Sequence, residues 1–269
     1  LDFYTPKPLV DFTVELPPEE VPIEEKVEKV FLADRAARQV DSRVRQVSVS
    51  YADVRQKVTI ANSDGVYVND LRTRTRFSVN VVAAENGVMQ TGYRSAGGTV
   101  GFELLEKEDP AELGRKAAER AVMMLGAQPA PSGKMPVVLA GEAGGTMVHE
   151  ACGHGLEADL VQKKLSVYAG KKGELVASPL VTVVDDGTIP GKFGSIRYDD
   201  EGCPGQKTVL IKDGVLEEYM YDYETARQEQ RQSTGNGRRE SYKCRPLPRM
   251  RNTYIAPGKT DPEEIIRAA

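Results

Sequence analysis

Between residues 44 and 98 the hydrophobic pattern of this chain switches to alternation, interrupted by two sharp turns. "VRQVSVSY", "KVTIANSDGVYVNDL" and "RTRFSVNVVAAENGVMQTGYRSAG" place apolar residues at every second position. That period sets one strand face on a core and the other on water. Ser63-Asp64-Gly65 and Glu85-Asn86-Gly87 interrupt the runs, and Asp-Gly and Asn-Gly accept the positive φ angles of hairpin turns. With "VGFELL" added, the stretch predicts four or five antiparallel strands in a meander. The apolar face of such a sheet needs a cover. Ile23, Val27, Val30, Phe31, Ala37 and Val40 fall near helical spacing, predicting one helix from Ile23 to about Val40. "DPAELGRKAAERAVMMLGA" predicts another, with Asp109 as cap, Pro110 at its first position and Gly126 after its end. Residues 1–22, rich in proline and acids, read as an extended lead-in.

"AQPAPSGKMP" (127–136) has the composition of a linker and divides the chain into an α+β domain over 1–130 and a second domain over 131–269. In the second, "VVLAG" (137–141) predicts a short buried strand, and "EAGGTMVHEACGHGLEADLVQKK" a helix with a glycine-rich entry. "LVTVVDDGT" and "KTVLIKDGVLEEYMYD", with turns at Asp186-Gly187 and Asp213-Gly214, predict more strands. "YETARQEQ" predicts a helix and "STGNGRRESYKCRPLPRMRNTY" a loop. The fold class expected is α+β: an antiparallel sheet flanked by helices, then a histidine-bearing helix leading into a largely β C-terminal domain.

That helix holds the whole histidine content of the chain, His149 and His154 in "MVHEACGH". Neutral imidazole is a good zinc ligand, and a neighbouring carboxylate that is not a ligand acts as a base toward water. Glu150 directly follows His149. The familiar zinc-protease pattern H-E-x-x-H sets its histidines four apart; this chain has H-E-x-x-x-H. Four residues turn ~400° on an α-helix and leave two side chains ~40° apart, whereas five turn ~500° and leave them ~140° apart. A shared ion therefore demands a π-bulge, with an i→i+5 bond, or a helix overwound or broken near Cys152–Gly153. Gly153 eases such a distortion. Two histidines are too few for a catalytic zinc, which takes three protein ligands and a water. Glu174, Cys203 and Cys244 are the distant candidates for the third. Cys152 reads as a buried small hydrophobe, and Glu157 as facing outward one turn beyond His154.

"MVHEACGHGLEADLVQKK", "GELVASPLVTVVDDGT", "YDDEGCPGQKTVLIKDG" and "STGNGRRESYKCRPLPRMRNTYIAPGK" together resemble the TldD/PmbA family of metallopeptidases, once called modulators of DNA gyrase, and its TldD-type members in particular. The resemblance runs from about Lys7 to the end. It implies that His149 and His154 bind zinc, and that Glu150 is the catalytic glutamate, taking a proton from the attacking water and returning it to the leaving amine. The family's third ligand is a cysteine in a glycine-rich stretch of the C-terminal domain. No such stretch occurs here, so the third ligand is expected outside this chain, which reads as a fragment without the family's N-terminal segment and C-terminal third. "TDPEEIIRAA", a helix just begun with Thr260 or Asp261 as cap, agrees with that expectation. A fragment of this kind is expected to hold zinc weakly. The resemblance also implies a peptide substrate, an unfolded peptide or small labile protein, and a dimer formed with a second copy or with a PmbA-type paralogue.

Composition narrows the partners. Lysine and arginine total 36 against 40 acidic residues, a net charge of −4, which offers nothing to attract nucleic acid or an anionic membrane. Three scattered cysteines without a CxxC pair fit a reducing, cytoplasmic compartment. In "STGNGRRES", Gly235 and Gly237 let backbone approach a substrate, and Arg238 or Arg239 suits a carboxylate such as a peptide terminus. The same stretch reads equally well as a long surface loop. Asp199, Asp200 and Glu201 read as solvated turn residues, and Arg72, Arg74 and Arg76 as one solvated sheet face. "AGEAGGT" lacks the G-K-[ST] of a phosphate loop, so its glycines serve packing against Val137–Leu139. Two other functions compete with a zinc peptidase: a non-catalytic regulatory or binding module of a protein complex, and a metal hydrolase acting on a non-peptide amide.

Overall fold

The computed structural model describes residues 2–269 and resolves the chain into two units. One comprises Phe12–Gln56 and Leu71–Gly133; the other comprises Leu1–Asp11, Lys57–Asp70 and Lys134–Ala269. The tip of the first hairpin and the first half of the N-terminal lead-in thus group with the C-terminal unit, although they lie within residues 1–130.

The first unit is built on the alternating segment. α1 (Ile23–Arg38) precedes β1 (Val44–Ala61), β2 (Tyr67–Glu85) and β3 (Val88–Gly98), which form one sheet in the order β1-β2-β3. There are three long strands where four or five short ones were expected. "VRQVSVSY" and "KVTIA" are one continuous strand, because Ala52-Asp53 between them breaks the polarity pattern but not the backbone. Asn86 and Gly87 have φ 50° and 79°, and Glu85 pairs with Val88 across the turn. Every second residue of β2 is buried, from Thr73 and Thr75 through Phe77, Val79, Val81 and Ala83; Arg72, Arg74 and Arg76 point the other way, as alternation requires. "VGFELL" is not a strand. It turns at Gly101 into α2 (Leu104–Lys107), where the buried carboxylate of Glu103 accepts the backbone N–H groups of Gly101 (2.9 Å) and Leu16 (3.0 Å). α3 (Pro110–Leu125) is capped by Asp109, which accepts the Ala111 N–H. Ala117, Ala118 and Ala121 of α3 and Ala33 and Ala37 of α1 pack on Phe77 and Val79. The two helices come so close that a Cβ on Gly114 would strike the Ala33 carbonyl.

In the second unit, α4 (Gly141–Val148) runs into a π turn over His149–Gly153, a 3₁₀ turn over His154–Leu156 and α5 (Ala158–Gln162). The single long helix expected here is broken: Glu157 is extended, with ψ 123°. β4 (Val183–Asp186), β5 (Lys207–Lys212), β6 (Val215–Leu216) and, beyond α6 (Tyr223–Gln228) and a two-stranded ribbon, β9 (Asn252–Ile255) form a sheet in the order β6-β5-β4-β9. Its pairs are antiparallel. The ribbon pairs β7 (Gly237–Arg238) with β8 (Leu247–Pro248), so β7, β8 and all but the last residue of β9 lie in the segment read as loop. α7 (Pro262–Ala268) is capped by Asp261. Cys152, Leu156, Leu210, Leu216, Met220 and Met250 belong to the core of this unit. "VVLAG" forms no strand: Val137, Val138 and Leu139 are 71%, 45% and 47% exposed. No described strand pairs with them, and the glycines of "AGEAGGT" do not pack on them. No helix among the described residues is long and apolar enough to cross a membrane.

Candidate metal centre

The five-residue spacing of the histidines is absorbed where it must be. The His154 N–H donates to the His149 carbonyl, an i→i+5 bond. This turn takes up more residues than an α-helical one, so the helix is widened rather than overwound. The rings of His149 and His154 end up with centroids 4.7 Å apart, edge to face. Potential ligand atoms of His149, Glu150 and His154 lie within 4.8 Å of one another, and this is the one group of three such residues found among the described side chains. His149 and His154 are half-buried and Glu150 is exposed, so the two rings have room to turn toward a common ion. Two imidazoles brought to one side of a helix are donors suited to zinc, and a carboxylate beside them suits a base toward water. The residues present therefore fit a divalent metal.

Packing holds the turn open. Gly153 has φ −53° and ψ −58°, ordinary helical values, so its backbone freedom is not what is used. Its missing Cβ is: an added methyl would fall 3.0 Å from Met250 Cε and closer still to Met250 Sδ. Cys152 is buried, its thiol donating to the Val148 carbonyl at 3.3 Å, and burial raises its pKa. It faces the core. The Tyr168 hydroxyl donates to the Ala151 carbonyl (3.4 Å), and the Ser166 hydroxyl to the Gly155 carbonyl (2.5 Å).

Glu157 does not face outward. It is 1% exposed because the chain leaves the helix at that residue. Its Oε1 lies 3.3 Å from His154 Nδ1, and its Oε2 accepts from Arg249 Nη1 at 3.0 Å. Burial pushes its pKa up against the opposing pull of Arg249. Neither Glu157 nor Arg249 stood out in the sequence, although an acid three residues after a candidate ligand is a usable signal. Glu174 is exposed, and neither it nor Cys203 nor Cys244 joins the cluster.

The "STGNG" stretch lies on a buried polar knot. Gly235 and Gly237 are buried, and the space beside them is already filled: a Cβ would sit 2.6 Å from the Pro204 carbonyl and 2.6 Å from Glu201 Oε2, respectively. Asn236, 1% exposed, donates to Asp185 Oδ2 (2.8 Å) and to the Arg249 carbonyl (3.0 Å). Asp199 is buried rather than solvated, and accepts backbone N–H groups of Glu201, Cys203 and Gly237. Burial raises Asp199 to about 6 and Glu201 to about 7. Arg238 and Arg239 are exposed. Arg239 Nη1 donates to the Cys244 carbonyl. Arg238 Nη1 reaches the carbonyl of Met250 (3.4 Å), the residue packed on Gly153.

Two family models match the chain. Residues 16–125 match the PmbA/TldA metallopeptidase central domain, and residues 132–269 the C-terminal domain of the same family. The chain belongs to the TldD/PmbA metallopeptidase family. It is 43% identical, over 98% of its length, to a Haemophilus influenzae protein named metalloprotease TldD homolog. It is 43% identical, over 93% of its length, to a metalloprotease of Methanothermobacter thermautotrophicus. It covers 56% and 54% of those two relatives, so it spans about half their length. A solved structure from Thermotoga maritima, described as a modulator of a DNA gyrase, matches all of this chain and 60% of its own, with TM-score 0.85 and 28% identity. Within the TldD/PmbA frame, the H-E-x-x-x-H segment falls in the region matched as the C-terminal metallopeptidase domain.

Proposed function

We propose that this chain carries the zinc-binding histidines and the general base of a TldD-type peptidase that hydrolyses unfolded peptides or small labile proteins. The observation that supports this most is the π turn, which sets the two imidazoles of His149 and His154 together with the Glu150 carboxylate beside them. His149 and His154 hold the ion, with a third ligand from outside this chain. When bound, zinc supplies Lewis-acid polarisation of the scissile carbonyl. Glu150, exposed next to His149, takes a proton from the attacking water onto a carboxylate oxygen and returns it to the leaving nitrogen.

An extended substrate needs main-chain partners. β9 is the last strand of its sheet and lies close to α4 and the π turn, and in this reading its outer edge offers N–H and C=O groups to the chain without regard to sequence. Arg238 supplies a cation for a peptide carboxylate. The intact protein pairs with a second copy or a PmbA-type paralogue in this reading. The test is Glu150→Gln: peptide hydrolysis is lost while zinc stays bound. Full hydrolysis by that variant would refute the assignment of the base; no hydrolysis by the wild type, with its function kept by Glu150→Gln, would favour the binding-module reading.

A further inference from the structure

The buried carboxylate behind His154 has one oxygen whose only partner is the imidazole. Glu157 Oε2 is satisfied by Arg249 Nη1 at 3.0 Å. Its Oε1 is fully buried and accepts no hydrogen bond, and the nitrogen facing it is His154 Nδ1 at 3.3 Å. A bare Nδ1 would point its lone pair at a carboxylate oxygen. A protonated Nδ1 instead gives that oxygen its missing donor, and removes the cost of leaving a buried acceptor unpaired. We propose that Glu157, anchored by Arg249, is a positioning residue that holds His154 as the Nδ1–H tautomer and leaves Nε2 bare for the metal.

Both members of the pair are fixed from behind. Glu157 sits between backbone bonds to Met220: the Met220 N–H donates to the Leu156 carbonyl (2.9 Å), and the Ala158 N–H to the Met220 carbonyl (3.0 Å). The Arg249 N–H donates to the Asn236 carbonyl (2.9 Å), the Asn236 side-chain amide donates back to the Arg249 carbonyl (3.0 Å), and Arg249 Nη1 also reaches the Pro248 carbonyl (2.6 Å). The "STGNG" stretch thereby sets Arg249, Arg249 sets Glu157, and Glu157 sets the ring. A ligating histidine whose other nitrogen is held by a carboxylate binds its metal more tightly, and loss of the carboxylate weakens binding 10- to 100-fold. The purpose of the tautomer rests on the peptidase reading, but its existence does not.

The experiment is long-range ¹H–¹⁵N NMR of the imidazoles in the metal-free protein, titrated until the rings are neutral, with His154→Gln to assign the signals. Zinc affinity is measured beside it by chelator competition. The wild type is expected to show His154 as Nδ1–H. Glu157→Leu is expected to shift it to the Nε2–H form and to lose about 10- to 100-fold in zinc affinity, and Arg249→Met to do so in part. An Nε2–H ring in the wild type overturns the inference without need of any variant, so a poorly folding Glu157→Leu does not shield it. An unchanged tautomer in a folded Glu157→Leu overturns it as well. If the intact wild-type protein binds no zinc, the peptidase reading fails while the tautomer remains readable. If it binds zinc with an Nε2–H ring, this inference alone fails.

Discussion

Replacing Gly153 by alanine tests whether packing, rather than backbone freedom, keeps the π turn in place. The added Cβ falls 3.0 Å from Met250 Cε, about 0.5 Å inside the shortest favourable carbon–carbon separation of about 3.5 Å, and closer still to the sulfur. Met250 is 4% exposed within the core, so its side chain has no solvent to swing into. Overpacking of this kind costs about 1–3 kcal/mol, and the closer approach to a sulfur that cannot swing out to solvent places the expected value in the upper half of that range. Met250→Ala alone costs about 2–5 kcal/mol as a cavity. In that background the clash is gone, and the helical φ and ψ of residue 153 favour alanine over glycine by about 0.5–1 kcal/mol. The substitution is therefore expected to change sign, from destabilising in the wild type to neutral or stabilising beside Met250→Ala. Urea unfolding followed by tyrosine fluorescence measures this, since the chain has eleven tyrosines and no tryptophan. Two additive substitutions, or a harmless Gly153→Ala in the wild type, would refute the reasoning.

Two further outcomes follow from the polar knot and its edge. Burial raises Glu201 to about 7 from an ordinary 4.5, so between those values the folded chain keeps a proton that the unfolded chain releases. That stabilisation is complete below about pH 4.5 and is lost as pH rises through 7. Glu201→Gln keeps an acceptor for the Tyr223 N–H and should flatten the fall in stability between pH 5 and 8; an unchanged slope in pH-dependent urea melts contradicts this. Arg238→Met should raise KM for a peptide with a free carboxylate by about 10- to 100-fold, the 1.5–3 kcal/mol of a charged hydrogen bond, with kcat kept. Steady-state kinetics showing no change in KM would remove Arg238 from substrate binding.

What could be read from the sequence was local in origin. Asp109, Pro110 and Gly126 bound α3 because caps and breakers act on their own neighbours, and Asn86-Gly87 closes its hairpin for the same reason. The H-E-x-x-x-H spacing dictated a π turn for a shared ion, since the angular drift of a helix is arithmetic. What failed depended on distant contacts. Glu157 was placed outward by extending a helix that the chain leaves at that residue. Asp199 looked solvated because its three backbone donors include Gly237, remote in sequence. β9 hid among arginines and prolines because its strand character comes from pairing with β4, not from alternation. Val137–Leu139 looked like a core strand, yet apolarity without a described pairing partner leaves them exposed.

The account stands on one ion shared by His149 and His154. Its most direct test is zinc stoichiometry by mass spectrometry on the intact protein after equilibrium dialysis, with His149→Ala, His154→Ala and Glu150→Gln alongside. One zinc per chain in the wild type and in Glu150→Gln, with zinc lost from both histidine variants, is the expected result. Stoichiometric zinc retained by His154→Ala would contradict the claim.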